Sequence, residues 1–105
     1  MIRHIVLVRF RTDVTDASIA TIFQALHALK ATIPGILAVA HGSNVSPEKL
    51  GRGTTHAFTV DFADEAARDR YLADADHGKV GAALVAAAQG GVDGLTVVDF
   101  EVGSD

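Results

Sequence analysis

Apolar and polar residues alternate along several stretches of the chain and recur at helical spacing along others. From Ile2 to Arg11 the residues are largely β-branched, free of Gly and Pro and bounded by polar positions, which predicts a strand. One side of it carries His4, Val6, Val8 and Phe10, the other Arg3, Ile5, Leu7 and Arg9. Thr15 or Asp16 can cap a following helix, whose apolar positions Ile19, Ile22, Phe23, Leu26 and Leu29 fall on one face. Pro34-Gly35 ends that helix, and a second strand is expected from Ile36 to His41. The polar stretch Ser43 to Gly53 reads as a loop joining antiparallel neighbours. Thr55 to Phe62 alternates most regularly, with His56, Phe58, Val60 and Phe62 on one side and Thr55, Ala57, Thr59 and Asp61 on the other. Asp64 caps a short helix through Leu72, Asp76 caps another through Ala88, and Gly90-Gly91 stops it. In a last strand, Leu95 to Val102, the positions Leu95, Val97, Asp99 and Glu101 face away from Thr96, Val98, Phe100 and Val102.

The order is β-α-β-β-α-β with a broken second helix. It predicts an α+β, ferredoxin-like domain with a four-stranded antiparallel sheet, a single unit over residues 1–105. Such a sheet, covered by helices on one side, ordinarily turns a polar face to water on the other. Here that second face includes Ile5, Leu7, Val98 and Phe100. A second copy of the sheet is the simplest cover, so a homodimer through the exposed sheet face is expected.

Composition mainly excludes. Apolar residues make up 49% of the chain, which fits a packed domain and not a disordered one. Nine Lys plus Arg against thirteen Asp plus Glu give a net charge of −4, and without a basic stripe no nucleic-acid partner is expected. The absence of Cys removes disulfides, thiolate metal sites and cysteine nucleophiles. Charge interrupts the first apolar run, so no signal peptide is read there. The longest apolar stretch, Val80 to Ala88, falls far short of the roughly 20 residues of a membrane span. A cytoplasmic protein without a membrane partner is the expectation.

Five histidines hold most of the chemistry. His27 sits on the polar flank of the first helix, and His41 ends a strand. His4 and His56 fall on the core side of theirs, where an imidazole needs a hydrogen-bonded neighbour or a wet cavity. His77 opens a helix, where the helix dipole disfavours imidazolium while Asp74 and Asp76 favour it. Tyr71, the single tyrosine, lies shortly before it, and Asp99 is an acid on an otherwise apolar stripe. His77 as base, Asp99 as its orienting partner and Tyr71 as donor to a developing oxyanion form one coherent set. A capping histidine, an edge aspartate and a packing tyrosine account for the same three residues structurally. No histidine spacing suggests a metal site. Gly90 to Gly94 reads as turn chemistry, and the charges from Asp64 to Arg70 as a solvated helix face.

Several segments, in order, resemble the stress-responsive A/B barrel (Dabb) family of the dimeric α+β barrel superfamily: Arg3-His4-Ile5-Val6-Leu7-Val8-Arg9-Phe10, Ile33-Pro34-Gly35-Ile36, Thr54-Thr55-His56-Ala57-Phe58, Arg68-Asp69-Arg70-Tyr71-Leu72, His77-Gly78-Lys79-Val80 and Val97-Val98-Asp99-Phe100. The resemblance implies a ferredoxin-like protomer whose sheet packs on its twin. Within the family the chain is similar to the plant polyketide cyclase that forms olivetolic acid by an intramolecular aldol condensation. That likeness implies catalytic roles for Tyr71, His77 and Asp99, and because the last strand runs antiparallel to the first, Asp99 is expected near His4, which groups His4 with them. It departs at the alanine-rich run Gly81 to Ala88, which takes the place of bulkier residues. In this fold His4 and His56 begin antiparallel strands, on the order of 15–20 Å apart at about 3.3 Å per residue. His56 therefore takes a structural or supporting role.

Two functions from different classes follow. One is a cofactor-independent cyclase, isomerase or lyase acting on a small carbonyl compound, in a pocket lined by Val6, Val8, Phe23, Leu26, Phe58, Val80 and Leu84. The other is a non-catalytic dimeric module, stress-responsive or binding an apolar ligand.

Overall fold

The computed structural model describes residues 1–103. Strand β1 (Ile2–Val8) leads to helix α1 (Asp16–Thr32), then β2 (Ile36–Ser43) and β3 (His56–Phe62). Helices α2 (Glu65–Ala73) and α3 (Ala75–Ala87) follow, then a single 3-10 turn and β4 (Leu95–Glu101). The four strands form one antiparallel sheet in the order β2-β3-β1-β4, the ferredoxin-like arrangement with its second helix broken in two.

The side-chain parity of β1 and β3 fixes which face is covered. Val6 and Val8 of β1 and Phe58, Val60 and Phe62 of β3 are buried, and Ile22, Phe23, Leu26, Leu29, Val80 and Leu84 of the helices pack onto them. Thr15 caps α1 by accepting from the Ser18 amide, and Asp64 caps α2 by accepting from the Ala67 amide at 2.8 Å. The opposite face carries half-buried Ile5 and Leu7 with exposed Val98 and Phe100, around a bidentate ion pair between Arg3 and Asp61. No helix among the described residues is long and apolar enough to cross a membrane.

Three features of the elements differ from expectation. Strand β1 stops at Val8, because beyond it the backbone exchanges its bonds with the end of α3 and with the turn before β4. Arg9 N–H donates to Gly94 O at 2.8 Å, Gln89 N–H to Arg9 O at 2.7 Å and Arg11 N–H to Ala87 O at 2.9 Å. Val97 lies on the covered side in the pairing pattern yet is 56% exposed, on the edge strand β4. The cap of α3 is Asp74 and not Asp76: the Asp74 carboxylate accepts from the amides of both Asp76 and His77.

The reversal into β2 depends on Gly35. Its φ is +93°, and a Cβ there would meet the Ala67 Cβ on α2 at 2.5 Å. Gly35→Ala is expected to destabilise the protein by about 2 kcal/mol or more, through left-handed strain together with the clash. Urea unfolding should show a lower midpoint at an unchanged slope.

Candidate active site

His4 sits within β1 on the helix-covered side, opposite Val60 of β3 and Asp99 of β4. Side chains that face each other across a ladder come within reach on the same face. His4 Nδ1 lies 2.7 Å from Asp99 Oδ1. A carboxylate only accepts, so Nδ1 carries the shared proton, and in the neutral ring Nε2 is left as the lone-pair nitrogen. The second Asp99 oxygen accepts from Arg68 Nη1 of α2 at 3.2 Å. His4 is 5% exposed, the one buried polar residue among those described.

Tyr71 reaches the same space from α2 and is buried as well. Its ring centroid lies 5.7 Å from that of His4 in an edge contact, and 4.1 Å from that of His77. The junction between the two helices sets this up. Asp74 N–H donates to Tyr71 O while the Asp74 carboxylate starts α3, so His77, in the first turn of α3, turns back over the tyrosine. His77 Nδ1 is enclosed without a hydrogen-bond partner, the one such side-chain nitrogen or oxygen among the described residues.

The electrostatics follow from this enclosure. Burial pushes the His77 pKa down from 6.5, and the neighbouring His4 adds to the effect, against the opposing pull of Asp74 and the Leu72 carbonyl. Burial also drives the Tyr71 phenol far above its usual value. At neutral pH the site thus presents an uncharged imidazole and a protonated phenol. A base beside a hydrogen-bond donor is the equipment for proton transfer at carbon next to a carbonyl.

The structure gathers His4, Tyr71, His77 and Asp99 into one neighbourhood, but it pairs them differently from the sequence-based set. Asp99 holds His4 rather than His77, because strand register places those two side chains opposite each other. Arg68, expected on a solvated face, instead anchors Asp99 and also donates from Nε to Asp69 at 3.1 Å. Its spacing to Tyr71 on α2 was the available signal, since positions three apart share a helix face. His56 stands opposite Val8 at the start of β3, well before Val60, the partner of His4. Its Nδ1 is 2.9 Å from Thr55 Oγ1 and its ring packs on Phe10. His27 and His41, which showed no partner in sequence, contact each other.

Val6, Val8, Phe23, Leu26, Phe58, Val80 and Leu84 do meet, all within one tightly buried cluster. Two surface clefts lie elsewhere. One, of 530 Å³, is on the open sheet face between Leu7, Ala57, Thr96 and the loop from Asn44 to Thr54. The other, of 480 Å³, is bounded by Ala20, Gln24, His27 and His41. Among the described residues no three His, Cys, Asp or Glu are grouped to hold a metal ion.

A depressed histidine pKa has a defined sign in stability. The unfolded chain takes up the His77 proton at higher pH than the folded chain does, so stability falls as pH drops below about 6.5 and levels off below the folded pKa. His77→Gln should flatten the part of that loss that the ring causes, as urea unfolding across pH 4.5–8 (about that range) would register. NMR titration should find the His77 ring still neutral at a pH where an exposed histidine is half protonated.

Solved structures match the chain along nearly its whole length. A dimeric ferredoxin-like protein of unknown function from Jannaschia sp. CCS1 is 30% identical, with a TM-score of 0.81 over 96% of this chain and 98% of that one. The protein At3g17210 from Arabidopsis thaliana is 25% identical, with a TM-score of 0.89 over 100% and 98% of the two chains. Hydroxynitrile lyase from Passiflora edulis shares the fold at 19% identity, with a TM-score of 0.87 over 99% and 94%. No curated protein matches. The pattern of the stress responsive A/B barrel domain, Dabb, matches residues 2–102, and the chain belongs to that family.

Proposed function

We propose that this protein is a cofactor-independent acid–base catalyst, a cyclase, isomerase or lyase acting on a small carbonyl compound of polyketide-like character. The observation that carries this reading is the enclosed, unpartnered His77 Nδ1 against the Tyr71 ring. A buried polar atom without a partner is rare in a folded protein, and a bound substrate would supply what it lacks. In the proposed step a His77 nitrogen takes a proton from the carbon α to the carbonyl. The electron pair of the broken C–H bond moves into the carbonyl as an enolate, and the Tyr71 hydroxyl donates to the oxygen that gains charge. Reprotonation, ring closure on a second carbonyl or loss of a leaving group then decides among the three reaction types. Asp99, backed by Arg68, holds His4 with its Nε2 side free, so His4 lines the same space.

The closed packing of the seven apolar residues favours a second reading, a non-catalytic dimeric module. The two separate on His77→Ala. With turnover found on a panel of small β-dicarbonyl and polyketide-like substrates, the variant should lose about 10²–10⁴ in rate while retaining its fold. A loss of only a few fold would leave His77 as a helix-start residue and favour the binding module.

We also propose that the open face of the sheet joins two copies in a homodimer. Val98 and Phe100 are 53% and 45% exposed beside Ile5 and Leu7, and Arg3 and Asp61 neutralise each other within the patch. The Jannaschia relative is described as dimeric. Leu7→Asp or Val98→Asp would bury an unpaired charge in that interface and should yield monomers in sedimentation. A wild-type protein that sediments as a monomer at micromolar concentration would refute the dimer.

A further inference from the structure

We propose that His27 and His41 form a binding site for one divalent transition-metal ion of tetragonal preference, Cu(II) first and Ni(II) second. The two residues come from different elements. Helix α1 runs toward Pro34-Gly35 and β2 returns antiparallel to it, which brings positions 14 apart in sequence side by side. His27 Nε2 and His41 Nδ1 stand 2.8 Å apart. Metal–nitrogen bonds of about 2.0–2.1 Å meeting at a right angle separate their nitrogens by about 2.9 Å, whereas a tetrahedral ion needs about 3.3 Å. The observed spacing is that of the N–H···N hydrogen bond joining the rings, and it lies closer to the right-angled bite than to the tetrahedral one.

The pair is also held in place. The His41 ring lies flat on Phe23, with ring centroids 4.3 Å apart and planes within 15°, and Phe23 is itself buried. A ring clamped in this way loses little freedom when it binds an ion. Within the pair one ring donates its N–H to the other. Moving that proton to the donor ring's second nitrogen frees both facing lone pairs with no net proton released.

The 480 Å³ cleft at the pair leaves room for water ligands. Gln24, one helical turn before His27, lines the same cleft and offers an amide oxygen. No charged side chain lines it, so imidazole coordination must supply the affinity, and this favours the ion at the top of the divalent series. Two protein nitrogens make a weaker centre than a dedicated three-ligand site. The pair is separate from the His4 and His77 neighbourhood.

The test is titration of the tag-free protein with CuCl₂, then with Ni(II) and Zn(II) salts, with no chelating buffer. One Cu(II) per chain is expected, with two imidazole nitrogens resolved in its EPR spectrum and a rise in melting temperature on binding. Zn(II) should bind at least about tenfold more weakly, and His27→Gln should weaken Cu(II) by at least about tenfold. His27 is exposed, so that variant keeps its fold, and His77→Ala should leave Cu(II) affinity unchanged. The proposal is overturned if no saturable one-to-one binding occurs, or if binding persists at full strength in both His27→Gln and His41→Gln.

Discussion

An imidazole in an apolar core needs a partner, and in this fold strand register provides it. His4 lies in β1, between its neighbours β3 and β4, and opposite it on β4 stands Asp99, whose carboxylate pairs with it. A shift of one residue would turn Asp99 to the open face and leave His4 unsatisfied, at a cost comparable to a lost buried hydrogen bond. The hydrophobic alternation of β1 and β3 and this single polar contact therefore enforce the same register. Arg68 closes the arrangement from the helix layer, so sheet and α2 meet through charge as well as through packing.

The break between α2 and α3 has a comparable influence on the site. One continuous helix would carry Tyr71 and His77 at a fixed angular offset along a single rod. Ending α2 at Ala73 and restarting from an Asp74 cap folds the two rings onto each other. The cost is a His77 nitrogen with no protein partner, the kind of local frustration that folded proteins keep mostly at functional sites. The same enclosure keeps the imidazole neutral and the phenol protonated, so geometry and protonation state share one physical origin.

Much of this was legible in the chain itself. Periodicity marks the strands and helices, Pro34-Gly35 and Gly90-Gly91 punctuate them, and parity puts His4, Val6 and Val8 on one side with Ile5 and Leu7 on the other. These features depend on residues near in sequence, whose preferences act before any tertiary contact forms. The four site residues were nameable for the same reason, each standing out as polar or aromatic against an apolar pattern.

What tertiary structure alone decided is who touches whom. Asp99 serves His4 rather than His77, Arg68 turns inward to hold Asp99, Val97 stays exposed on an edge strand, and two unrelated-looking histidines, His27 and His41, stand within hydrogen-bond distance. Each of these results depends on the order and register of strands and on where helices end over them, quantities set by residues far apart in the chain. The sequence determined which residues could act and which face each would take. Only packing in three dimensions decided their partners, because a hydrogen bond or an ion pair depends on distance, and distance between remote residues exists only once the fold has formed.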